Sequence, residues 1–505
     1  MQVHHLLENT VKKYPEKNAV WFKDKWTNYS EIEENASKIC SYLVKNNIKI
    51  GDRVAIILEN SFDYIAAYFG ILKAGGVVVG LNPVLSESFL HFSLSNSDTK
   101  LVIFNKKYLS KLSKVFSRID KTMQYIIDDR DGGENFEKYI NIDLTTIYAI
   151  EQQTTSIRTI DLDIAEIVYT SGSTGEPKGV TLTHLNLVAN QHSIVKYLKL
   201  TERDRIMVIL PFYYIYGKSL LLTHFLVGGS VVIDNRFTYP NVVLETMSQK
   251  KVTGFAGVPS TYSILLSRSN ITKKKIESLR YVTQAGGAMA PSLQKKVINT
   301  FAPAELYVMY GATEAAPRLS YLEPDMLESK LGSIGKPVDN VDLKILNPDG
   351  KEVPIGETGE IAARGSNIMN GYWRDQEATN NAFRNGYYLT GDLGRQDEDG
   401  YFFIIGRKKD FIKSKGFKVS AKMIEEAIME IDGVLEVAVV GVQDEEFGEA
   451  IKSFIVKENE SGIDTEIIRE GLFQKLASNE VPKYIEFVDD LPKNESGKIL
   501  KTKLQ

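Results

Sequence analysis

Apolar positions recur along the chain with two alternating periods. Ser30-Glu31-Ile32-Glu33 reads as a capping box, and Ile32, Ala36, Ile39 and Leu43 follow at helical spacing. Val54-Ala55-Ile56-Ile57-Leu58 is a short unbroken apolar run that suits a buried strand. An amphipathic stretch from Phe62 to Lys73 predicts a helix, Gly75-Gly76 stops it, and Val77-Val78-Val79 starts the next strand. Strand, helix and strand within about thirty residues make a βαβ unit. Lys100 to Phe104 repeats the strand after another helical stretch. This alternation predicts an α/β fold with a mostly parallel sheet.

The middle of the chain keeps the rhythm. Runs at 205–210, 229–233, 280–283 and 306–310 read as strands, and the last two end at Gly286-Gly287 and Gly311. Strands that end in glycine deliver their loops to one sheet edge, where α/β proteins hold ligands. From about Gly332 the texture turns β-rich through about residue 400, with turns at Pro348-Asp349-Gly350 and Gly356-Glu357. After Gly406 a smaller α+β unit is predicted: a helix from Ser420 to Met429, strands at 434–442 and 451–456, and a helix from Asp464 to Ala477.

Composition narrows the function. Hydrophobic residues are 43% and charged residues 25% of 505, an ordinary globular balance. The net charge of -4 gives no cationic surplus for a nucleic-acid backbone. The single cysteine, Cys40, excludes an intramolecular disulfide and a multi-cysteine metal site. The six histidines form no HExxH pattern, and His184 after Thr183 reads as a structural residue at a helix start. Without a signal peptide or an apolar run of membrane length, a cytoplasmic protein with no membrane partner is expected.

The sharpest string is Tyr169-Thr170-Ser171-Gly172-Ser173-Thr174-Gly175-Glu176-Pro177-Lys178-Gly179-Val180. Its glycines let backbone N–H groups approach an anion, its hydroxyls add donors, and Lys178 adds a cation. No Walker A spacing fits. Four further strings follow in order: Tyr310-Gly311-Ala312-Thr313-Glu314, Tyr388-Leu389-Thr390-Gly391-Asp392, Gly406-Arg407-Lys408-Lys409-Asp410, and Pro492 to Lys498.

Taken together, these five strings resemble the signature motifs of the adenylate-forming, AMP-binding enzymes: acyl-CoA synthetases, luciferases and peptide-synthetase adenylation domains. The resemblance covers essentially the whole chain. It implies a large N-terminal lobe (1–405) of parallel-sheet α/β layers plus a β-rich subdomain, and a small mobile C-terminal lobe (406–505) carrying the catalytic lysine. It implies ATP and Mg2+ as cofactors, with Thr170, Ser171, Gly172, Ser173, Thr174, Gly175 and Lys178 around the phosphates. Gly286, Gly287, Ala288, Tyr310 and Gly311 would border the adenine, and Asp392, Ile404 and Arg407 the ribose side. Glu314 would be the metal carboxylate, Thr313 a phosphate donor, Lys498 the catalytic cation and Lys409 the hinge. A carboxylate attacking the α-phosphate of ATP brings two anions together, so such chemistry needs cations and donors where charge builds up. The segment around Gly416 would open a channel for a phosphopantetheine thiol, on CoA or on a holo carrier protein.

The acyl pocket is expected from 211–217, 255–260, 284–288 and 307–312, with Tyr213, Tyr214, Gly217, Gly257, Gln284, Ala285, Gly286, Tyr307, Met309 and Ala312 as lining residues. Tyr214 stands where the family commonly has histidine. These segments hold no aspartate for the α-ammonium of a primary amino acid. Several strings, Pro211 to Gly217 among them, look like stand-alone prolyl-AMP ligases, which makes L-proline loaded onto a separate carrier protein the favoured expectation. A CoA ligase for a small aryl or medium-chain carboxylic acid is the alternative. A non-catalytic binding relative is disfavoured because Glu314, Asp392, Arg407 and Lys498 are all retained.

Overall fold

The helix Tyr29–Lys45 begins one residue before the predicted box, because Asn28 caps it. The Asn28 side chain accepts the Glu31 N–H at 2.8 Å, and Glu31 accepts the Asn28 N–H at 2.9 Å. Tyr29 is drawn into the first turn by its own burial, its hydroxyl donating to the Gly229 carbonyl at 2.6 Å. The helix Phe62–Lys73 has the predicted bounds, with Ser61 as its cap. The computed structural model describes residues 1–505 except 120–122, 129–141, 152–156, 172–176, 415–416, 445–447, 459–460, 494–498 and 505.

The α/β rhythm closes into two large sheets. In one, the strands Val77–Gly80, Arg53–Ile57, Leu101–Asn105 and Gln124–Asp128 are parallel neighbours. The antiparallel pair Ile164–Ser171 and Pro177–Thr183 lies beside Val77–Gly80. The other sheet has a parallel core of Asn18–Phe22, Ser230–Ile233, Arg205–Val208, Gly254–Gly257, Tyr281–Gln284 and Glu305–Tyr310. Helices cross between these strands, and three of them start on proline: Pro240–Gln249, Pro259–Arg268 and Pro291–Phe301. Proline there presets the first helical φ and gives up an N–H that the first turn leaves unbonded anyway.

The β-rich stretch does not form an independent sheet. It continues the second one through antiparallel strands Ser320–Leu322 and Ser333–Pro337, then Phe402–Arg407, Tyr387–Gln396, Gly359–Gly365 and Val341–Leu346. Past Arg407 a three-stranded sheet, Val434–Asp444, Gly448–Lys457 and Tyr484–Phe487, packs with the helices Ala421–Met429 and Thr465–Phe473. Its apolar core, from Ile412 to Leu472, is separate from the cores of the preceding residues. Polar contacts such as Ser292 Oγ to the Met429 carbonyl at 3.0 Å and Lys296 to Glu458 at 3.2 Å join the two parts. No described helix is long and apolar enough to cross a membrane.

Candidate active site

Four of the five motifs meet where the C-terminal ends of the parallel core strands approach the antiparallel extension. Strand Glu305–Tyr310 delivers Gly311 to Glu314 into a short 3-10 turn, Thr313–Ala315. Gly311 admits no side chain, since a Cβ would come within 1.8 Å of the Pro317 carbonyl oxygen. Strand Tyr387–Gln396 brings Asp392 opposite Arg407 in register on Phe402–Arg407. The buried Asp392 carboxylate takes a hydrogen bond from the Tyr310 hydroxyl at 2.7 Å and another from Arg407 Nε at 2.9 Å. Burial, and after it the Asp392 charge, pushes the Tyr310 hydroxyl well above its usual range, so it remains a donor.

Glu314 has a partner that the motifs do not announce. Tyr372 donates to Glu314 Oε1 at 2.9 Å, and Lys178 Nζ lies 5.0 Å from the centre of the Tyr372 ring. Burial and then the Glu314 charge raise the Tyr372 hydroxyl far above its normal range. No protein group among the described residues bonds Glu314 Oε2, which leaves a hard oxygen free for a hard cation. The Glu314 backbone is fixed as well, its carbonyl accepting the Met369 N–H at 2.9 Å. Gly371 and Tyr372 pair with Thr181 and Val180 on the strand that starts at Pro177, beside Lys178.

In the glycine-rich string, Thr170 pairs with Lys178 and Ser171 with Pro177 at the ends of the hairpin. Gly172, Ser173, Thr174 and Gly175 lie outside the described residues, as do Gly416, Lys498 and the Ser171 side chain. Gly286, Gly287 and Ala288 form an exposed edge after Tyr281–Gln284, and the buried Gln284 holds that edge by donating Nε2 to the Gly287 carbonyl at 2.6 Å. Thr313 and Ala312 are half-buried beside Glu314, and Ile404 is half-buried on its strand. Lys409 is exposed in the turn after Arg407.

The acyl segment from Pro211 leads into the helix Ile215–Val227, where the Tyr216 hydroxyl meets Thr283 Oγ1, next to Gln284, at 3.0 Å. Tyr213 and Tyr214 are half-buried with ring centres 5.0 Å apart. Gly217 packs against the chain before it, where a Cβ would come 2.1 Å from the Pro211 carbonyl oxygen. Gly257 and Ala285 are buried at the ends of their strands. The Tyr307 hydroxyl is turned to Glu305 Oε2 at 2.9 Å, so Tyr307 offers this region a ring and not a donor. On the Met309 side of the strand is Arg318, 3% exposed, a residue that none of the five motifs marks. Directly after Gly217, the Lys218 ammonium forms a wholly buried ion pair with Glu166, a residue of the strand that leads into the glycine-rich loop.

The site thus pairs a buried carboxylate held by a tyrosine and an arginine with a half-committed glutamate oriented by Tyr372, beside which Lys178 lies. The AMP-binding enzyme family matches residues 7–373, and the AMP-binding enzyme C-terminal domain matches 423–498. The chain belongs to this family: it is an AMP-forming acid–thiol ligase that uses ATP with Mg2+. It is 31% identical to a long-chain-fatty-acid–CoA ligase of Bacillus subtilis (strain 168), covering 99% of this chain and 93% of that one. It is also 31% identical to a feruloyl-CoA synthase of Amycolatopsis sp, over 94% and 92% of the two chains. Among solved structures, an anthranilate CoA ligase, AuaEII, in complex with anthranoyl-AMP superposes with a TM-score of 0.91 at 25% identity, over 100% of this chain and 96% of that one. ATP-bound MatB from Rhodopseudomonas palustris gives 0.88 at 29%, over 100% and 98%.

Proposed function

We propose that the protein activates a compact carboxylic acid without a primary ammonium group, then passes the acyl group to a phosphopantetheine thiol, with CoA as the first acceptor to test. In the first half-reaction a carboxylate oxygen bonds the α-phosphorus of ATP, and the bond to the β-phosphate oxygen breaks to release pyrophosphate. In the second, the thiol sulfur bonds the acyl carbon and AMP leaves with the former carboxylate oxygen. The observation that carries the acid class is the tyrosine-rich acyl region of Tyr213, Tyr214 and Tyr216, which holds a buried arginine and no aspartate.

Asp392 binds the ribose hydroxyls with the lone pairs left after Tyr310 and Arg407 are served. Thr170, Lys178 and Thr313 hold phosphate oxygens, and Gly286 to Ala288 with Gly311 edge the adenine. Glu314 would hold Mg2+, itself oriented by Tyr372, and the ion when bound supplies neutralisation of phosphate charge. Lys498 supplies the cation between carboxylate and α-phosphate. Residues 1–405 and 406–505 act as two lobes that re-dock between half-reactions about Lys409, a division that the separate apolar core past Ile412 supports.

L-Proline on a separate holo carrier protein is the second acid and acceptor pair. The Pro211 to Gly217 string favours it, and a secondary amine needs no pocket aspartate; a cation beside the pocket works against it. ATP–pyrophosphate exchange over a panel of proline, benzoates and fatty acids tests the acid. Thioester formation with CoA against holo carrier protein tests the acceptor. Exchange restricted to proline, with transfer to carrier protein only, would put the proline pair first.

A further inference from the structure

Arg318 is a buried cation that the fold holds rigidly and does not neutralise. Its backbone N–H donates to Asn190 Oδ1 at 3.1 Å, and its carbonyl accepts from Asn190 Nδ2 at 2.9 Å and Asn367 Nδ2 at 2.7 Å. Both asparagines are buried. The side chain then runs to Met309, whose sulfur takes the Nε–H at 3.2 Å, and stacks its guanidinium 4.3 Å from the centre of the Tyr216 ring. Tyr197 closes the far side, its hydroxyl donating to the same sulfur at 2.9 Å.

No carboxylate pairs with Arg318 among the described residues. A thioether is a weak acceptor and a ring face only a partial one, while a guanidinium carries five N–H donors and stays charged. Burying a charge without a counter-ion costs several kcal/mol, so a fold that pins one in place with three backbone hydrogen bonds has a use for it. Successive side chains of a strand point to opposite faces. Tyr310 reaches Asp392 on the nucleotide side. Met309 and the arginine bonded to its sulfur therefore lie on the other face, with Tyr216 of the acyl segment, away from the nucleotide side.

We propose that Arg318 is the specificity determinant of the acyl pocket, receiving a second oxygen acceptor, foremost a carboxylate, at the far end of the acid. The planar fork of arginine matches a carboxylate with two parallel bonds, and the acid then supplies the counter-charge that the protein omits. The assignment deepens the ligase reading and rests on it. Tyr216 fixes the distance of this anchor from the reacting carboxyl: its hydroxyl is tied to Thr283 Oγ1 at 3.0 Å, so its ring is a rigid platform for the guanidinium.

The test is ATP–pyrophosphate exchange by the full chain with dicarboxylic and ω-oxo acids, each against the alkyl acid of equal heavy-atom count. The acceptor-bearing member of at least one pair is expected to have the higher kcat/KM by tenfold or more, carried mainly by KM. Arg318→Met should lower that ratio at least tenfold, and Arg318→Lys, which keeps the charge without the fork, should restore part of it. Exchange with alkyl acids alone, or an equal loss on both members of a pair in Arg318→Met, overturns the anchor and leaves the ligase reading in place. If Arg318→Met does not fold, the wild-type ratio alone decides. No exchange with any acid of either panel overturns the ligase reading, and the anchor with it.

Discussion

Replacing Lys218 by methionine should destabilise the N-terminal part of the protein by about 3–5 kcal/mol, the usual cost of removing one partner of a buried ion pair. The Lys218 and Glu166 side chains are both 0% exposed. Among the described residues, the one other side-chain bond to that carboxylate is the Tyr68 hydroxyl at 3.2 Å. The ammonium also lies 4.7 Å from the centre of the Tyr68 ring, so the charge is enclosed on all sides by protein. Methionine fills nearly the same volume, which keeps the packing loss small beside the electrostatic one. At about 1.4 kcal/mol per tenfold, the folded-to-unfolded ratio should fall by about two to three and a half orders of magnitude. All three tryptophans, Trp21, Trp26 and Trp373, precede residue 406, so urea unfolding followed by tryptophan fluorescence reports on this part of the chain. The double variant Lys218→Met with Glu166→Gln removes both charges and keeps an acceptor for Tyr68. It should recover at least half of the loss. A single variant within about 1 kcal/mol of wild type, or a double variant no better than the single, would refute the reasoning. The pair joins the helix after the acyl segment to the strand before the phosphate loop, so activity should fall with it.

Asp392→Asn should raise the KM for ATP about 10- to 100-fold, the loss of a charge-assisted hydrogen bond of about 1.5–3 kcal/mol, with the KM for the acid nearly constant; a change in ATP KM under threefold contradicts the ribose role. Lys498→Ala should abolish ATP–pyrophosphate exchange and leave thiol transfer from supplied acyl-adenylate largely intact, and equal loss of both steps contradicts its assignment. His224 is buried, its Nδ1–H on the Leu220 carbonyl at 2.8 Å and its Nε2 near the Tyr281 hydroxyl at 3.3 Å. Burial holds its pKa down to about 4 against an ordinary 6.5. The unfolded chain thus takes up a proton between these values that the folded one refuses. Its stabilisation is complete above about pH 6.5 and is lost as pH falls toward 4. The stability difference between wild type and His224→Gln should shrink by about 2 kcal/mol from pH 7.5 to pH 5, and a difference independent of pH contradicts the buried neutral state.

The parts of the fold written in local periodicity were legible in the sequence. Phe62–Lys73 and the core strands follow from apolar spacing and glycine stops, because burial there is set by residues close in the chain. The cap of the first long helix was not, since Asn28-x-x-Glu31 and Ser30-x-x-Glu33 have the same spacing. The burial of Tyr29 against Gly229, 200 residues away, decides between them. For the same reason the β-rich stretch reads as a unit of its own, although its strands extend the second parallel sheet. His184 does start a helix, His184–Leu198, and is buried with its ring accepting the Val3 N–H at 3.1 Å. The motif residues could be found by their strings. Tyr372 and Arg318 could not, because their meaning comes from the side chains they meet, Glu314 in one case and Met309 with Tyr216 in the other. Gln284 has the opposite lesson: an amide in a pocket segment reads as a substrate contact, yet its Nε2 braces the turn at Gly287.

In an acyl-adenylate-forming ligase, the acid's own oxygen becomes bonded to the α-phosphorus of ATP. Incubation of the protein with ATP, Mg2+, thiol acceptor and an acid labelled with 18O in its carboxylate tests this directly by mass spectrometry of the nucleotide product. AMP carrying one 18O atom, formed together with pyrophosphate, is the expected result. Unlabelled AMP, or label in orthophosphate released alongside ADP, would contradict it.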